Sequence, residues 1–524
     1  MNMRSTLILV SLLGLGSVIS VCSEEAIFVG TTCTIPGNPI DKFVSGKLSK
    51  WGVIPELCSD SVFLRRAYLD VIGALPTSRE AREFLADPDK NKRIALIDRL
   101  LERDEFSIYW AMKWSDLLRV KAEFPVNLWP NAAQAYHHWI LVSLRENKPY
   151  DRFVREMLLS NGSNFRVGPV NFYRAIQNKT PAGIAAAVAL TFMGTRIDAW
   201  PKKDSLPGMA VFFSQVGYKP TREWKEEIVF WDPDMPLTNQ MAIFPDGKKL
   251  KTIPPDQDPR ELFANWLITP ENPWFTASIV NRVWSWLLGR GIIHEPDDIR
   301  PDNPPANPEL LKYLQKEFII SGYNLKHLYR LILTSRTYQC SSIIPQSGAL
   351  DKIEANFGFY PLRRLDAEVL IDAINKITGT SDLYTSAIPE PFTFIPENQP
   401  AIALPDGSIT SPFLELFGKP ARATGMENER INRVVPTQKM HLLNSSHIQR
   451  KLEMNLNLKT FLKSKPKPEE IIEELYLTVL SRFPTRVEVN LAEAYAKSGV
   501  VKGNGAWHDL VWALINSDEF IYRH

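Results

Sequence analysis

Apolar side chains recur along most of this chain at the three- and four-residue intervals of an amphipathic helix. Asp60 precedes Val62, Leu64, Ala67, Tyr68 and Val71, a stripe that predicts a helix with one buried face. Thr77-Ser78-Arg79-Glu80 has the form of a capping box, in which threonine and glutamate each satisfy an unpaired N–H at a helix start. Asn307-Pro308 marks another start, because the first turn has no use for the donor that proline lacks. Leu310, Leu311, Leu314 and Phe318 form its buried stripe, Gly322 closes it and Asn324 opens the next helix. The densest block runs from Asp258 to Tyr338. It carries Trp266, Trp274, Trp284 and Trp286, a Gly289-Arg290-Gly291 turn and a loop rich in Pro, Asp and Asn.

One pattern recurs. Tyr68-Leu69-Asp70-Val71-Ile72 leads to Pro76-Thr77-Ser78-Arg79-Glu80, and Tyr476-Leu477-Thr478-Val479-Leu480 leads to Pro484-Thr485-Arg486-Val487-Glu488. Each copy is followed by a similar helix end, at Asp104-Glu105-Phe106 and at Asp518-Glu519-Phe520, and Leu328 to Tyr338 resembles that end a third time. This reads as a reused helix–turn–helix unit inside a globular fold.

Two stretches break the helical rhythm. From Gln215 to Pro255 come Val229-Phe230-Trp231, the turn Asp232-Pro233-Asp234, and Ala242-Ile243-Phe244 before Pro245-Asp246-Gly247, which predicts a short β-hairpin or linker. Ile388 to Arg433 is a long irregular region, and loops of that length usually carry function or cover a surface. The predicted fold is mainly α: a helical domain over 24–214, a linker with a small β-hairpin over 215–257, and a second helical domain over 258–524.

At 524 residues, with 44% hydrophobic and 23% charged side chains, the chain is too long for one core and too apolar for disorder. A formal charge of +2 with both signs interspersed gives no footprint for nucleic acid. Arg4 and the short apolar run Leu7 to Val18 form a signal-peptide pattern, with cleavage near Ser23 and a periplasmic or secreted destination. A lipid anchor at Cys22 is the rival, disfavoured by Val21 immediately before it. No later segment is long and apolar enough for a transmembrane helix. Of the four cysteines, three follow the leader. Cys33 and Cys58 are candidates for a disulfide, leaving Cys340 as a buried thiol.

Common catalytic motifs are missing: there is no G-x-S-x-G, H-E-x-x-H, Walker or dinucleotide glycine pattern. Neither cofactor nor metal is predicted. His137 and His138 diverge by about 100° on a helix, so one packed and one exposed is the expected arrangement. The loop holding Asp297, Asp298, Arg300 and Asp302 offers hard oxygen donors, though Arg300 among them favours loop-fixing salt bridges. Arg422, Glu427, Glu429 and Arg430 make a second charged cluster, either a solvated surface or a cleft for a polar ligand. Asn444-Ser445-Ser446-His447 reads as a helix cap, and most of the 14 tryptophans as core.

Several segments carry a family resemblance: Leu64-Arg65-Arg66-Ala67-Tyr68-Leu69-Asp70, Asn147-Lys148-Pro149-Tyr150-Asp151, the Asp258–Tyr338 block, Arg363-Arg364-Leu365-Asp366-Ala367-Glu368, and His441-Leu442-Leu443-Asn444-Ser445. On these the chain resembles the secreted planctomycete-type proteins that pair the domains of unknown function numbered 1549 and 1553. Many relatives carry a Cys-x-x-Cys-His stretch, which resembles a c-type haem attachment site, after the segment matching Thr191–Ile197. Here Asp198-Ala199-Trp200-Pro201 follows, without the thiols or histidine that covalent haem needs.

Two functions stay open. One is a non-catalytic binding or scaffold module of the cell envelope, partnered by an envelope protein or a glycan and linked to extracellular polysaccharide handling. The other is a hydrolase-type enzyme with its site between the 297–303 loop and the 388–433 region, recognisable by a deep pocket with perturbed carboxylates. Haem electron transfer would need ligands elsewhere.

Overall fold

A computed structural model describes residues 27–30, 37–197, 205–238, 241–346 and 348–524. The chain is mainly helical, with small antiparallel sheets. The helices that build the sites are α1 (Asp60–Val71), α2 (Ser78–Ala86), α3 (Asp104–Leu117), α4 (Pro130–Arg145), α5 (Phe275–Leu288), α6 (Ala367–Thr378), α7 (Pro436–Asn444), α8 (Ser446–Met454), α9 (Pro468–Leu480) and α10 (Arg486–Lys497).

The caps explain the starts. Thr77 Oγ1 accepts from the Glu80 N–H at 3.2 Å, while Glu80 accepts from the Thr77 N–H at 2.8 Å. Thr485 and Glu488 make the same reciprocal pair at 3.2 and 2.7 Å. At α1 the cap is Ser59, whose Oγ accepts from the Val62 N–H at 3.4 Å. At its C-terminus α5 stops on Gly289 at φ 74°, a left-handed position open to glycine.

The stripe on α1 predicts one buried face, yet the helix is buried nearly all round, Arg65, Arg66 and Asp70 included. The reason is a dense supply of acceptors. Arg65 donates to the carbonyls of Val479 and Phe520 at 2.7 and 2.9 Å. Arg66 donates to those of His524, Tyr338 and Cys340. Paired this way, the buried guanidiniums leave few donors unsatisfied.

Strands β1 (Gly162–Ser163), β2 (Val216–Pro220) and β3 (Glu227–Trp231) form an antiparallel sheet in the order β1-β3-β2. A hairpin does occupy the linker, but it closes through residues 221–226, where Thr221 Oγ1 donates to Glu226 at 2.7 Å. Asp232-Pro233-Asp234 is therefore not its turn. A second ribbon pairs β4 (Ala242–Ile243) with β5 (Lys249–Leu250) around Gly247. Near the chain end, β6 (Arg363–Arg364) pairs with β7 (Tyr522–Arg523).

One hydrophobic cluster runs from Ile40 to Ile521, so the two halves share a core. Trp286 on α5 packs against Trp110 and Trp114 on α3, with ring centroids 5.4 and 5.9 Å apart. Trp110 also donates to the Val71 carbonyl at 3.1 Å. Tyr68 on α1 and Tyr476 on α9 each lie under an arginine: Arg103, just before α3, at 5.8 Å and Arg482, in the α9–α10 turn, at 5.2 Å. Arg103 also pairs with Glu80 and Glu105, and Arg482 with Glu488 and Glu519.

Candidate functional site

Two features stand out: a buried web of charges where the halves meet, and an open cleft beside it. The web begins on α3, which turns Lys113 and Asp116 toward the C-terminal half. Lys113 meets Asp366 at 2.9 Å, and Arg523 reaches the same carboxylate at 3.0 Å. Burial alone would push Asp366 up, but Lys113, Arg523 and Arg430 outweigh it and hold its carboxyl well below the usual range. Asp116 accepts from Arg422 at 2.9 Å and from Arg430 at 2.6 Å. Arg430 also grips Glu368, at 2.7 and 3.1 Å.

The two loops singled out from sequence do meet, through Asp297 and Glu427. Arg282 on α5 donates to Asp297 at 2.7 Å, and the Glu427 N–H donates to the other Asp297 oxygen at 2.7 Å. Trp286 Nε1 donates to the Glu427 carboxylate at 2.9 Å. Burial raises the Glu427 carboxyl above its ordinary value, with Arg282 and Lys113 opposing. The remaining space beside Lys113, Asp116 and Glu427 is only about 10 Å³, room for about one water.

The other predicted residues do not join this contact. Asp298 pairs with Arg300 at 3.0 Å and with Arg196 at 3.8 Å, and Arg300 reaches Asp302 at 3.5 Å. These fix the loop at the surface. Glu429 accepts from the backbone N–H groups of Ala423 and Thr424 and holds its own turn. Lys113, Asp116, Asp366, Glu368 and Arg523 were not legible as site residues. Only Asp366 and Glu368 had a sequence cue, in the Arg363–Glu368 segment. Cys33 lies outside the described residues, as do Cys22 and 198–204. Cys58 and Cys340 are both buried, and burial pushes the Cys340 thiol up to about 12.

The cleft lies between α4 and residues 391–409 and has a volume of about 1070 Å³. Asn131, Gln134 and His138 form the exposed edge of α4 along it. Its neighbour His137 is buried, and burial lowers that imidazole to about 3. The opposite wall presents Phe392 and Phe394, which are 48% and 68% exposed, with Gln399 behind them. Trp129 packs against Phe392 at 5.2 Å and fixes that wall. Among the described residues, none lining the cleft is Asp or Glu.

Behind Gln399 is a smaller cavity of about 300 Å³, between Gly73–Leu75 and α6. Asp372 lines it and accepts from the N–H groups of Ala401 and Ile402 at 2.8 and 3.0 Å. Burial raises this carboxyl to about 7, against those two hydrogen bonds and with help from Glu368 and Asp382.

No curated protein and no solved structure matches the chain. Residues 39–198 match the family model PSCyt2, described as a protein of unknown function (DUF1549), and residues 259–496 match PSD1, described as a protein of unknown function (DUF1553), so the chain carries these two domains in that order.

Proposed function

We propose that this protein is a non-catalytic binding module that receives a glycan chain in the cleft between α4 and residues 391–409. The observation that carries the reading is the lining of that cleft. Phe392 and Phe394 offer apolar faces on which sugar C–H groups stack, and Asn131, Gln134, His138 and Gln399 offer donors and acceptors for hydroxyls. Glycoside hydrolysis uses two carboxylates flanking the bond, and the lining supplies none. The Asp297–Glu427 contact has raised and paired carboxylates but space for only about one water, which weighs against the hydrolase reading there.

The same reading makes this a planctomycete-type exported protein of the cell envelope, supported by the apolar run Leu7 to Val18 behind Arg4. The recurring capping boxes of α2 and α10, and the arginines over Tyr68 and Tyr476, support treating α1–α2 and α9–α10 as copies of one unit. A glycan array probed with the purified protein tests the binding claim. Binding to a restricted set of polysaccharides, weakened at least tenfold by Phe394→Ala, supports it. A blank array, or binding indifferent to that change, overturns it.

A further inference from the structure

Apart from the cleft and the charge web, His441 and His447 are brought together in a way that neither feature requires. His441 lies toward the end of α7 and His447 in the first turn of α8. On one continuous helix, six residues would place them about 120° apart around the axis. The chain breaks at Ser445, whose Oγ accepts from the Ile448 N–H at 3.3 Å and caps α8. That break points His441 Nε2 at His447 Nδ1, 3.4 Å away. The other nitrogen of His447, Nε2, lies 2.8 Å from Asp382 Oδ1. A carboxylate accepts, so Nε2 carries the proton and Nδ1 keeps its lone pair. Lys451 on α8 reaches the same Asp382 oxygen at 3.0 Å, and Phe413 packs edge-on to both imidazoles.

We propose that His441 Nε2 and His447 Nδ1 form a two-nitrogen site for a divalent zinc or copper ion, with Asp382 orienting His447 from behind. Two zinc–nitrogen bonds of about 2.0–2.1 Å at a tetrahedral angle place their nitrogens about 3.3–3.4 Å apart. The observed 3.4 Å meets that spacing. Metal-bound histidines commonly donate their second ring N–H to a carboxylate, which fixes tautomer and ring orientation, and Asp382 is placed for this. The His447 side chain is 32% exposed, which leaves an entry path. Among the described residues, no group of three or more His, Cys, Asp or Glu side chains converges as a metal cage. Water or an external ligand fills the remaining positions.

The test uses the full purified chain, stripped with chelator and titrated with Zn²⁺ by calorimetry and with Cu²⁺ by electron paramagnetic resonance. The expected result is one equivalent of zinc and a copper signal split by two imidazole nitrogens. His441→Gln and His447→Gln each reduce the splitting to one nitrogen and weaken zinc at least tenfold. Asp382→Asn weakens it about 10–100-fold while both nitrogens remain. Absence of micromolar zinc binding, or an unchanged two-nitrogen signal in both histidine variants, overturns the proposal. His441 does not touch Asp382, so a His441→Gln variant with the wild-type melting curve decides the matter if His447→Gln fails to fold.

Discussion

Arg430 spans both carboxylate oxygens of Glu368, at 2.7 and 3.1 Å, across 62 residues of chain. The Arg430 side chain is 6% exposed and that of Glu368 is 1% exposed. Asp116 takes the remaining edge of the guanidinium at 2.6 Å, so one arginine neutralises carboxylates from both halves.

Removing that arginine strands the buried Glu368 carboxylate and leaves Asp116 with Arg422 alone. Arg430→Met should cost about 3–5 kcal/mol, the range for breaking a buried pair on one side only. Urea unfolding measures it. A loss under about 1 kcal/mol would mean that water reaches Asp116 and Glu368 freely, and the web would lose its structural meaning.

The Asp372 carboxyl, raised to about 7 from 3.8, runs the other way with pH. A raised carboxylate keeps its proton longer in the folded state, so the folded protein loses stability as pH climbs from about 4 to 7. Asp372→Asn does not titrate. Relative to wild type it should gain about 1–3 kcal/mol between pH 5 and pH 8, less than the roughly 4 kcal/mol of a three-unit shift because the adjoining cavity admits water. A difference that stays flat over that interval would show that Asp372 ionises normally.

Arg103 and Arg482 make matching contacts in different surroundings. The Arg482 side chain is 7% exposed and that of Arg103 is 30% exposed. Arg482→Ala should therefore cost about 3–5 kcal/mol and Arg103→Ala nearer 1 kcal/mol. Thermal melts of the two variants compare them directly, and equal losses would contradict the burial argument.

Local chemistry was readable from sequence, and long-range pairing was not. Thr77 and Glu80 are three residues apart, so their capping box could be written down in advance. The hairpin was legible in place but not in register, because 221–226 holds no Gly, Pro, Asn, Asp or Ser and only cross-strand pairing puts the turn there instead of at Asp232-Pro233-Asp234. Asp297 meets Glu427 across 130 residues, and no spacing rule reaches that far. Lys113 and Asp116 sit on α3 and Glu368 on α6, and no local pattern marks them as paired. Lys113 and Asp116 point into the opposite half, and Glu368 meets Arg430 across 62 residues of its own half. His441 and His447 were hidden by the helix break at Ser445, which places together two side chains that helical periodicity would separate.

The most direct test of the binding account is hydrogen exchange of the full chain, read by mass spectrometry, with and without the oligosaccharide that scores highest on the array. The account predicts slowed exchange in peptides covering 131–142 and 391–409, with no change around the Asp297–Glu427 contact. Protection confined to peptides elsewhere, or none at saturating oligosaccharide, would contradict it.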